Sequence, residues 1–338
     1  MGVLKESVDG SRRASSHRTY WHLANGGDRG DSEQRPTDYE IATSRLLYYV
    51  GRGFETRLPL ADWYRRHQLE SPFACDDWEQ FRDPRETTYA GYTAHRDQEE
   101  ARVDQILLLD EDTGHDTPLD RSWVETLETI LPPARYLFHA FQMIGAYVGQ
   151  LAPSGRITVA SAFQAADEMR RVHRLARWLA TARRTREMFG ADAKQRWQED
   201  PAWQPARMLA ERMLVAYDWG EAFAALNLCA KPALDAFFYE ELGTLASSRG
   251  DDRLRVILTS LAEDGAWHRS WSEALVAMAV DARPGNRDTL RLWVGKWIVA
   301  TDQAVRSLGT LAGGDGAEAA TSGLARAKDW RQRIGVEP

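Results

Sequence analysis

Long stretches of this 338-residue chain carry apolar residues at helical spacing, and this periodicity constrains the fold more than any other feature. Residues 157–188 place Met169, Val172 and Leu179 on one arc, as an amphipathic helix does. Residues 133–152 are apolar almost all round, which is typical of a helix buried on most sides. We find no convincing alternating strand pattern and no repeat of fixed period. The sequence therefore predicts an all-α protein built on a bundle of four long helices.

The remaining predicted helices follow from the same periodicity and from start and stop signals. Thr37 or Asp38 provides an N-cap for the first of them. Pro232 is expected to kink the helix in which it lies, and residues 70–90 are expected to be irregular because they contain several prolines and aspartates. Gly51 and Gly53 are expected to break the helical stretch over 38–68. The remaining helices are predicted over 91–112, 120–130, 204–247, 252–281, 288–309 and 316–333.

Composition excludes several classes of protein. The net charge of −7 argues against a general nucleic-acid binder, which would be basic. Cys75 and Cys229 lie in no Cys-x-x-Cys or Cys/His cluster, which excludes a disulfide scaffold and favours a reducing compartment. No apolar run approaches the ~20 residues of a membrane span, and the N-terminus lacks the apolar core of a secretory signal. We expect a cytoplasmic protein with neither nucleic acid nor membrane as a partner.

The N-terminal residues 1–36 are rich in Gly, Ser, Arg and Asp and are predicted to form a flexible arm. Residues 37–310 are then the helical domain, and residues 311–338 a C-terminal linker and helix. The arm contains an aromatic cluster, which either anchors it on another subunit, the favoured interpretation, or folds back on its own domain. The expected interface residues are Arg18, Tyr20, Trp21 and Leu23.

Charged residues on apolar helix faces are the candidate site. Glu168 lies on the inner arc of its helix, and Arg171 follows one turn later, so a buried ion pair is the favoured interpretation. Asp264 and His268 share an inner face at a spacing that can hold a metal, although a satisfied core histidine is commoner. Lys231 interrupts an apolar stretch and could compensate either Glu168 or Asp264.

Two further features of the sequence, an arginine run and a high tryptophan content, do not by themselves indicate a function. Five arginines lie mostly opposite the apolar arc of helix 157–188, which predicts a solvated or subunit-facing stripe: Arg170, Arg171, Arg174, Arg177 and Arg184. The 13 tryptophans are equally consistent with a large core and with a partner surface. No phosphate loop, nucleophile elbow or zinc-protease motif is present.

A four-helix bundle with inward carboxylates invites comparison with di-iron proteins, which use a Glu from two helices and Glu-x-x-His from the other two. Asp-Glu-Met-Arg-Arg at 167–171 resembles the Asp-Glu-x-Arg-His element of bacterial multicomponent monooxygenases, with Arg171 in place of the histidine. Lys231 stands where a glutamate is expected. On the fourth helix, the Glu and His positions of the motif fall either on Asp264 and Trp267 or on Gly265 and His268, and neither pair keeps both ligands. Arg135 is one candidate for the position that holds a ligand glutamate on the first helix.

Several segments between about residues 17 and 300 resemble the β subunit of the hydroxylase in these monooxygenases, closest to the toluene, alkene and isoprene group. Each segment is weak alone, and the series together is specific. The segments are RTYWHLA, RPTDYEIATSRLLYY, PARYLFHAFQMIGAYVGQLAPS, FQAADEMRRVHRLA, WGEAFAALNLCAKPALDAFF and EDGAWHRSWSEALV.

The resemblance implies a ferritin-like bundle that carries no catalytic, cofactor or metal residue of its own. It also implies an (αβγ)₂ hydroxylase whose α subunit holds two irons, served by an effector protein, a ferredoxin and an NADH-dependent reductase. The hydrocarbon substrate would be an alkene, isoprene or an aromatic. Two alternatives remain: a free-standing ferritin-like protein with a degenerate metal site at Glu168, Asp264 and His268, and a helical interaction module.

Overall fold

The computed structural model describes residues 37–43, 59–112 and 119–338, and most of these residues are helical. The Thr37 hydroxyl accepts a hydrogen bond from the Glu40 N–H, and the Glu40 carboxylate accepts from the Thr37 N–H. This capping box begins the first helix where the sequence predicts it. The helices of the N-terminal half are α1 (Asp38–Thr43), α2 (Pro59–Tyr64, continued as a π-helix over Arg65–Leu69), α3 (Tyr89–Asp112), α4 (Arg121–Leu151) and α5 (Gly155–Ala182).

The C-terminal half continues the helical architecture with short connections. Between α2 and α3 the chain is mostly irregular, as predicted, with one 3₁₀ turn at Trp78–Gln80. Another 3₁₀ turn, Thr310–Ala312, links the last two helices. The remaining helices are α6 (Ala193–Glu199), α7 (Gln204–Met213), α8 (219–248), α9 (Asp252–Ala282), α10 (Asn286–Gly309) and α11 (Gly313–Arg333).

Helices α4, α5, α8 and α9 form the central bundle, which confirms the predicted fold class; no strand occurs in the three described ranges. α4 and α5 are antiparallel neighbours joined by a tight turn. They approach closely because Gly145 faces Ala165 and Gly149 faces Ser161. The Ser161 hydroxyl donates to the Gly145 carbonyl at 2.7 Å, which ties the two helices together.

α4 is one continuous helix, whereas the sequence predicts two helices over 120–130 and 133–152. Pro132 and Pro133 lie inside it. Pro133 has no N–H to donate to the carbonyl four residues earlier, which belongs to Thr129. The Trp203 indole N–H donates to that carbonyl instead, at 3.0 Å. A tertiary hydrogen bond thus satisfies one carbonyl that the prolines leave without its helical donor.

Two other predicted helix boundaries are wrong. α5 ends at Ala182 rather than near residue 188, and the Arg183 side chain then donates to the Phe189 carbonyl at 2.9 Å in the following turns. The predicted helix over 204–247 is two helices. α7 ends at Met213, and after a short connection Asp218 caps the N-terminus of α8. Its carboxylate accepts from two N–H groups of the first turn of α8 at 2.9 and 3.0 Å.

α8 alternates between α- and π-helical turns. Pro232 lies at the start of an α-helical piece between two π-helical pieces, so the chain remains helical on both sides of it. π-Helical turns inside long helices are frequent at functional sites. The five pieces are Trp219–Phe223 (α), Ala224–Ala230 (π), Lys231–Asp235 (α), Ala236–Glu241 (π) and Leu242–Ser248 (α).

Most tryptophans in the described ranges serve the core rather than a partner surface. Trp63, Trp78, Trp178 and Trp197 are half-buried and pack against that core. Since eight are buried, the number of tryptophans reflects a large helical interior. The buried ones are Trp123, Trp203, Trp219, Trp267, Trp271, Trp293, Trp297 and Trp330.

The outer helices cover the bundle on two sides. α3 packs against α9 and pairs its carboxylates with arginines of α5, whereas α10 and α11 pack against α8. None of the described helices combines the length and the apolar character that crossing a membrane requires. The predicted arm with Arg18, Tyr20, Trp21 and Leu23 lies outside the described residues. The proposed division at residues 36 and 310 stays a prediction.

Candidate functional site

Four ionisable side chains meet in the centre of the bundle, and none is more than 4% exposed. We call Glu168, Arg171, Lys231 and Asp235 the inner cluster. Arg171 contacts Glu168 and Asp235, each at 2.9 Å, and Lys231 contacts Asp235 at 3.0 Å and also binds Glu168. The predicted buried pair between Glu168 and Arg171 is present. The cluster holds two carboxylates and two cations, so its formal charge is zero.

The predicted partnership between Lys231 and Asp264 is wrong. Lys231 lies one turn before Asp235 on α8, so Asp235 can reach its ammonium within the same helix. Asp264 of α9 instead contacts Arg96 of α3 and Arg170 of α5, at 2.5 and 2.7 Å. Sequence reasoning missed Asp235, although its i, i+4 spacing from Lys231 in an apolar stretch was a usable signal.

Arg171 and Lys231 determine the ionisation of Asp235. Burial would raise the pKa of Asp235, but the two cations outweigh burial and hold this pKa below its usual value. Burial likewise favours a lower pKa for Arg171, yet Asp235 and Glu168 raise that pKa well above its usual value. Arg171 and Asp235 are therefore both charged, and each depends on the other to remain so.

A second group of polar residues, centred on Asp167, lies beside the inner cluster. The Tyr92 hydroxyl donates to Asp167 Oδ1 at 2.7 Å, Arg96 contacts the same oxygen at 2.9 Å, and His268 Nε2 lies 3.1 Å from Asp167 Oδ2. Burial and the nearby Asp264 raise the pKa of Asp167 to about 7, against the opposing effects of Arg96 and Tyr92.

His268 is held neutral by its surroundings. Burial, followed by the nearby cations Lys231 and Arg171, lowers its pKa well below the usual value. The neighbouring Trp267 side chain contacts a different carboxylate, because its indole N–H donates to Asp83 at 3.0 Å. Both registers proposed for α9 are buried. Gly265 and His268 lie against Asp235 and Asp167, whereas Asp264 contacts Arg170 and Trp267 contacts Asp83.

Two other proposed positions differ in their relation to the inner cluster. Gly265 leaves room for the Asp235 carboxylate, because a Cβ at position 265 would lie 2.9 Å from Asp235 Oδ2. Arg135 is not part of it, since this half-buried side chain donates to the Pro132 carbonyl of its own helix at 3.2 Å. α4 instead presents the ring of Phe141, 6.0 Å from the Lys231 ammonium.

The arginine run over residues 170–184 is largely internal, which corrects the predicted solvated or subunit-facing stripe. Arg170, Arg171 and Arg174 are buried, and only Arg177 and Arg184 are exposed. The reason is α3, which covers this face and supplies a carboxylate on successive turns. Glu100 contacts Arg170 and Arg174, each at 2.6 Å, and Asp104 contacts Arg174 and Arg177 at 2.5 and 3.0 Å.

The donor set of the inner cluster does not fit a metal centre. A cation placed against Glu168 would meet the ammonium of Lys231 and the guanidinium of Arg171, and both repel it. Within the described ranges, no group of three or more His, Cys, Asp or Glu side chains is arranged to hold a metal ion. The geometry supports mutual neutralisation of the four buried charges of the inner cluster.

Comparison with known proteins places this bundle in a family. The sequence profile described as Methane/Phenol/Alkene Hydroxylase matches residues 63–283. The chain belongs to this hydroxylase family. It is 32% identical over 304 residues to the hydroxylase component subunit β of the toluene-4-monooxygenase system of Ectopseudomonas mendocina, covering 86% of this chain and 89% of that relative.

Further relatives and solved structures also match this chain. The propane 2-monooxygenase hydroxylase small subunit of Gordonia sp. (strain TY-5) is 26% identical and covers 69% of this chain and 65% of its own length. A solved toluene 4-monooxygenase structure with toluene bound in its resting active site matches with TM-score 0.79 and 30% identity, over 91% of this chain and 97% of the other. Phenol hydroxylase from Pseudomonas sp. OX1 shares the fold, with TM-score 0.83, 19% identity and coverage of 94% and 95%.

Proposed function

We propose that this chain is the non-catalytic, structural β subunit of the hydroxylase in a multicomponent di-iron monooxygenase. The observation that carries the proposal is the inner cluster, in which Arg171 and Lys231 occupy positions where the resemblance leads us to expect ligands. A di-iron centre of this fold needs about four carboxylates and two imidazoles. Here two side-chain cations already neutralise Glu168 and Asp235. We infer that the inner cluster holds no metal and supplies no catalytic residue, and that the described bundle serves assembly.

The wider system follows from the family and from the named relatives. We propose a larger α subunit that holds the two irons, a γ subunit and an (αβγ)₂ hydroxylase. An effector protein, a ferredoxin and an NADH-dependent reductase complete it. The relatives are named for toluene, propane and phenol, so the substrate is a hydrocarbon or an aromatic compound. The cytoplasmic location stays a prediction.

The test is to measure iron and activity for this chain alone and for the complex co-expressed with the α and γ subunits. We expect less than 0.1 iron per chain when it is purified alone, and iron with oxygen-dependent turnover only in the complex. Stoichiometric iron in the isolated chain would favour the free-standing protein with a degenerate metal site. A metal-free chain that never associates with an α-type subunit would favour the helical interaction module.

A further inference from the structure

Helix α3 contributes little apolar surface to the core, although it is 24 residues long. Between residues 89 and 108 only Tyr92 and Val103 are buried, and the half-buried Leu107 packs against the core. Each large apolar side chain that is buried contributes about 1.5–3 kcal/mol. The hydrophobic effect therefore holds α3 on the bundle more weakly than it holds α10, a helix of the same length. The large apolar side chains that α10 buries are Leu290, Trp293, Val294, Trp297, Val305 and Leu308.

Three charged side chains of α3 attach it to the bundle instead. Arg96 contacts Asp167 of α5 at 2.9 Å and Asp264 of α9 at 2.5 Å. Glu100 and Asp104 each contact two arginines of α5, at distances between 2.5 and 3.0 Å. The three side chains follow one another at intervals of four residues, so they lie on one face of the helix. A row of ion pairs thus runs along the side of α3 that meets the bundle.

Solvent reaches the carboxylates of this row. Glu100 is 34% exposed and Asp104 is 33% exposed, whereas their shared partner Arg174 is 3% exposed. Salt screens charges that solvent reaches, and the Debye length falls from about 10 Å at 0.1 M to about 3 Å at 1 M ionic strength. Separation of α3 would also hydrate Arg174, so the open state leaves no unpaired charge buried at this position. The balance between the closed and open positions of α3 therefore depends on ionic strength.

We propose that α3 is a salt-sensitive latch, which opens from the bundle as one unit while the four central helices stay folded. A segment that buries few apolar side chains can open at a lower free energy than the whole domain unfolds. Opening removes the α3 carboxylates from Arg170, Arg174 and Arg177, and these arginines follow one another along α5 at intervals of four and three residues. The open protein then presents a row of positive charges that α3 neutralises in the closed protein.

Hydrogen–deuterium exchange of the full chain, followed by mass spectrometry, measures the opening of each helix separately. We expect peptides of α3 to exchange about fivefold faster in about 1 M NaCl than in about 0.1 M NaCl. Peptides of α9 should exchange at the same rate at both salt concentrations, because α9 buries a long apolar stripe in the core. The comparison of the two helices within one sample separates local opening from global unfolding.

Asp104→Asn removes the charge that holds Arg174 and Arg177. At the lower salt concentration its α3 peptides should exchange about fivefold faster than those of the wild type, and raising the salt should accelerate them less. Asp97→Asn is the matched control, because it removes the same charge from an exposed position of the same helix. Its α3 peptides should exchange as those of the wild type do.

Three results would overturn this inference. Equal exchange of wild-type α3 at the two salt concentrations would show that screened charges do not hold the helix. Acceleration of α3 and α9 by the same factor would show that α3 opens only when the whole bundle unfolds. Equal exchange of α3 in the Asp97→Asn and Asp104→Asn variants would show that the ion pairs of Asp104 do not close the latch.

Discussion

Replacing Glu168 by glutamine removes one negative charge from the inner cluster with little change in shape. In the wild type, Arg171 and Lys231 are balanced by Glu168 and Asp235, and none of these side chains is more than 4% exposed. In the variant, two buried cations share Asp235 alone, so one positive charge lacks a counterion. Removing one partner from a buried ion pair costs about 3–5 kcal/mol of unfolding free energy.

This loss of free energy corresponds to a measurable change in melting temperature. Unfolding entropy of about 2.1 cal/mol/K per residue gives about 0.7 kcal/mol/K for 338 residues. A loss of 3–5 kcal/mol therefore lowers the melting temperature by about 4–7 °C. Calorimetry on the purified hydroxylase complex measures this change, and the same preparation is analysed for iron and turnover.

Glu125→Gln is the matched control, because Glu125 pairs with Arg121 at 2.7 Å on the surface, where the two side chains are 54% and 86% exposed. Solvent screens a surface ion pair almost completely, so the melting temperature of Glu125→Gln should stay close to that of the wild type. We expect Glu168→Gln to keep its iron and its turnover per folded complex. If iron leaves a fully folded Glu168→Gln complex with an unchanged melting temperature, Glu168 is a metal ligand and the structural role is refuted.

Three further outcomes follow from the structure. The pKa of Asp167 is about 7 in the fold, above its ordinary value of 3.8, so Asp167 contributes stability that is present below pH 3.8 and lost as the pH rises through 7. The melting temperature of the wild type relative to Asp167→Asn should therefore increase from pH 8 to pH 5, and a constant difference would contradict this. Gly265→Ala brings a Cβ to 2.9 Å from Asp235 and should cost about 1–3 kcal/mol in chemical denaturation, whereas Gly285→Ala, with open space around it, should be nearly neutral. Deletion of residues 1–36 should weaken assembly with the α subunit and leave the circular dichroism of the bundle unchanged; assembly at wild-type affinity would make the arm a passive tail.

The sequence alone determined the elements that depend on local spacing. Helical periodicity predicted α9 and α10 closely, because an amphipathic pattern depends only on which face is buried. The ion pair between Glu168 and Arg171 was predictable for the same reason, since residues one turn apart on one helix are neighbours wherever that helix packs. The substitutions at positions 171 and 231, and with them the family, were also visible in the residues themselves.

Only the tertiary structure decided how distant segments satisfy one another. The Arg96 partner of Asp264 lies 168 residues away, and the α3 carboxylates that bury the arginine run lie about 70 residues from it. The Trp203 donor to the Thr129 carbonyl lies 74 residues further along the chain. A buried charge or an unpaired carbonyl makes a partner necessary, but local sequence does not say which partner it is. That choice is made when the helices pack and bring one donor or carboxylate, among many in the chain, within reach.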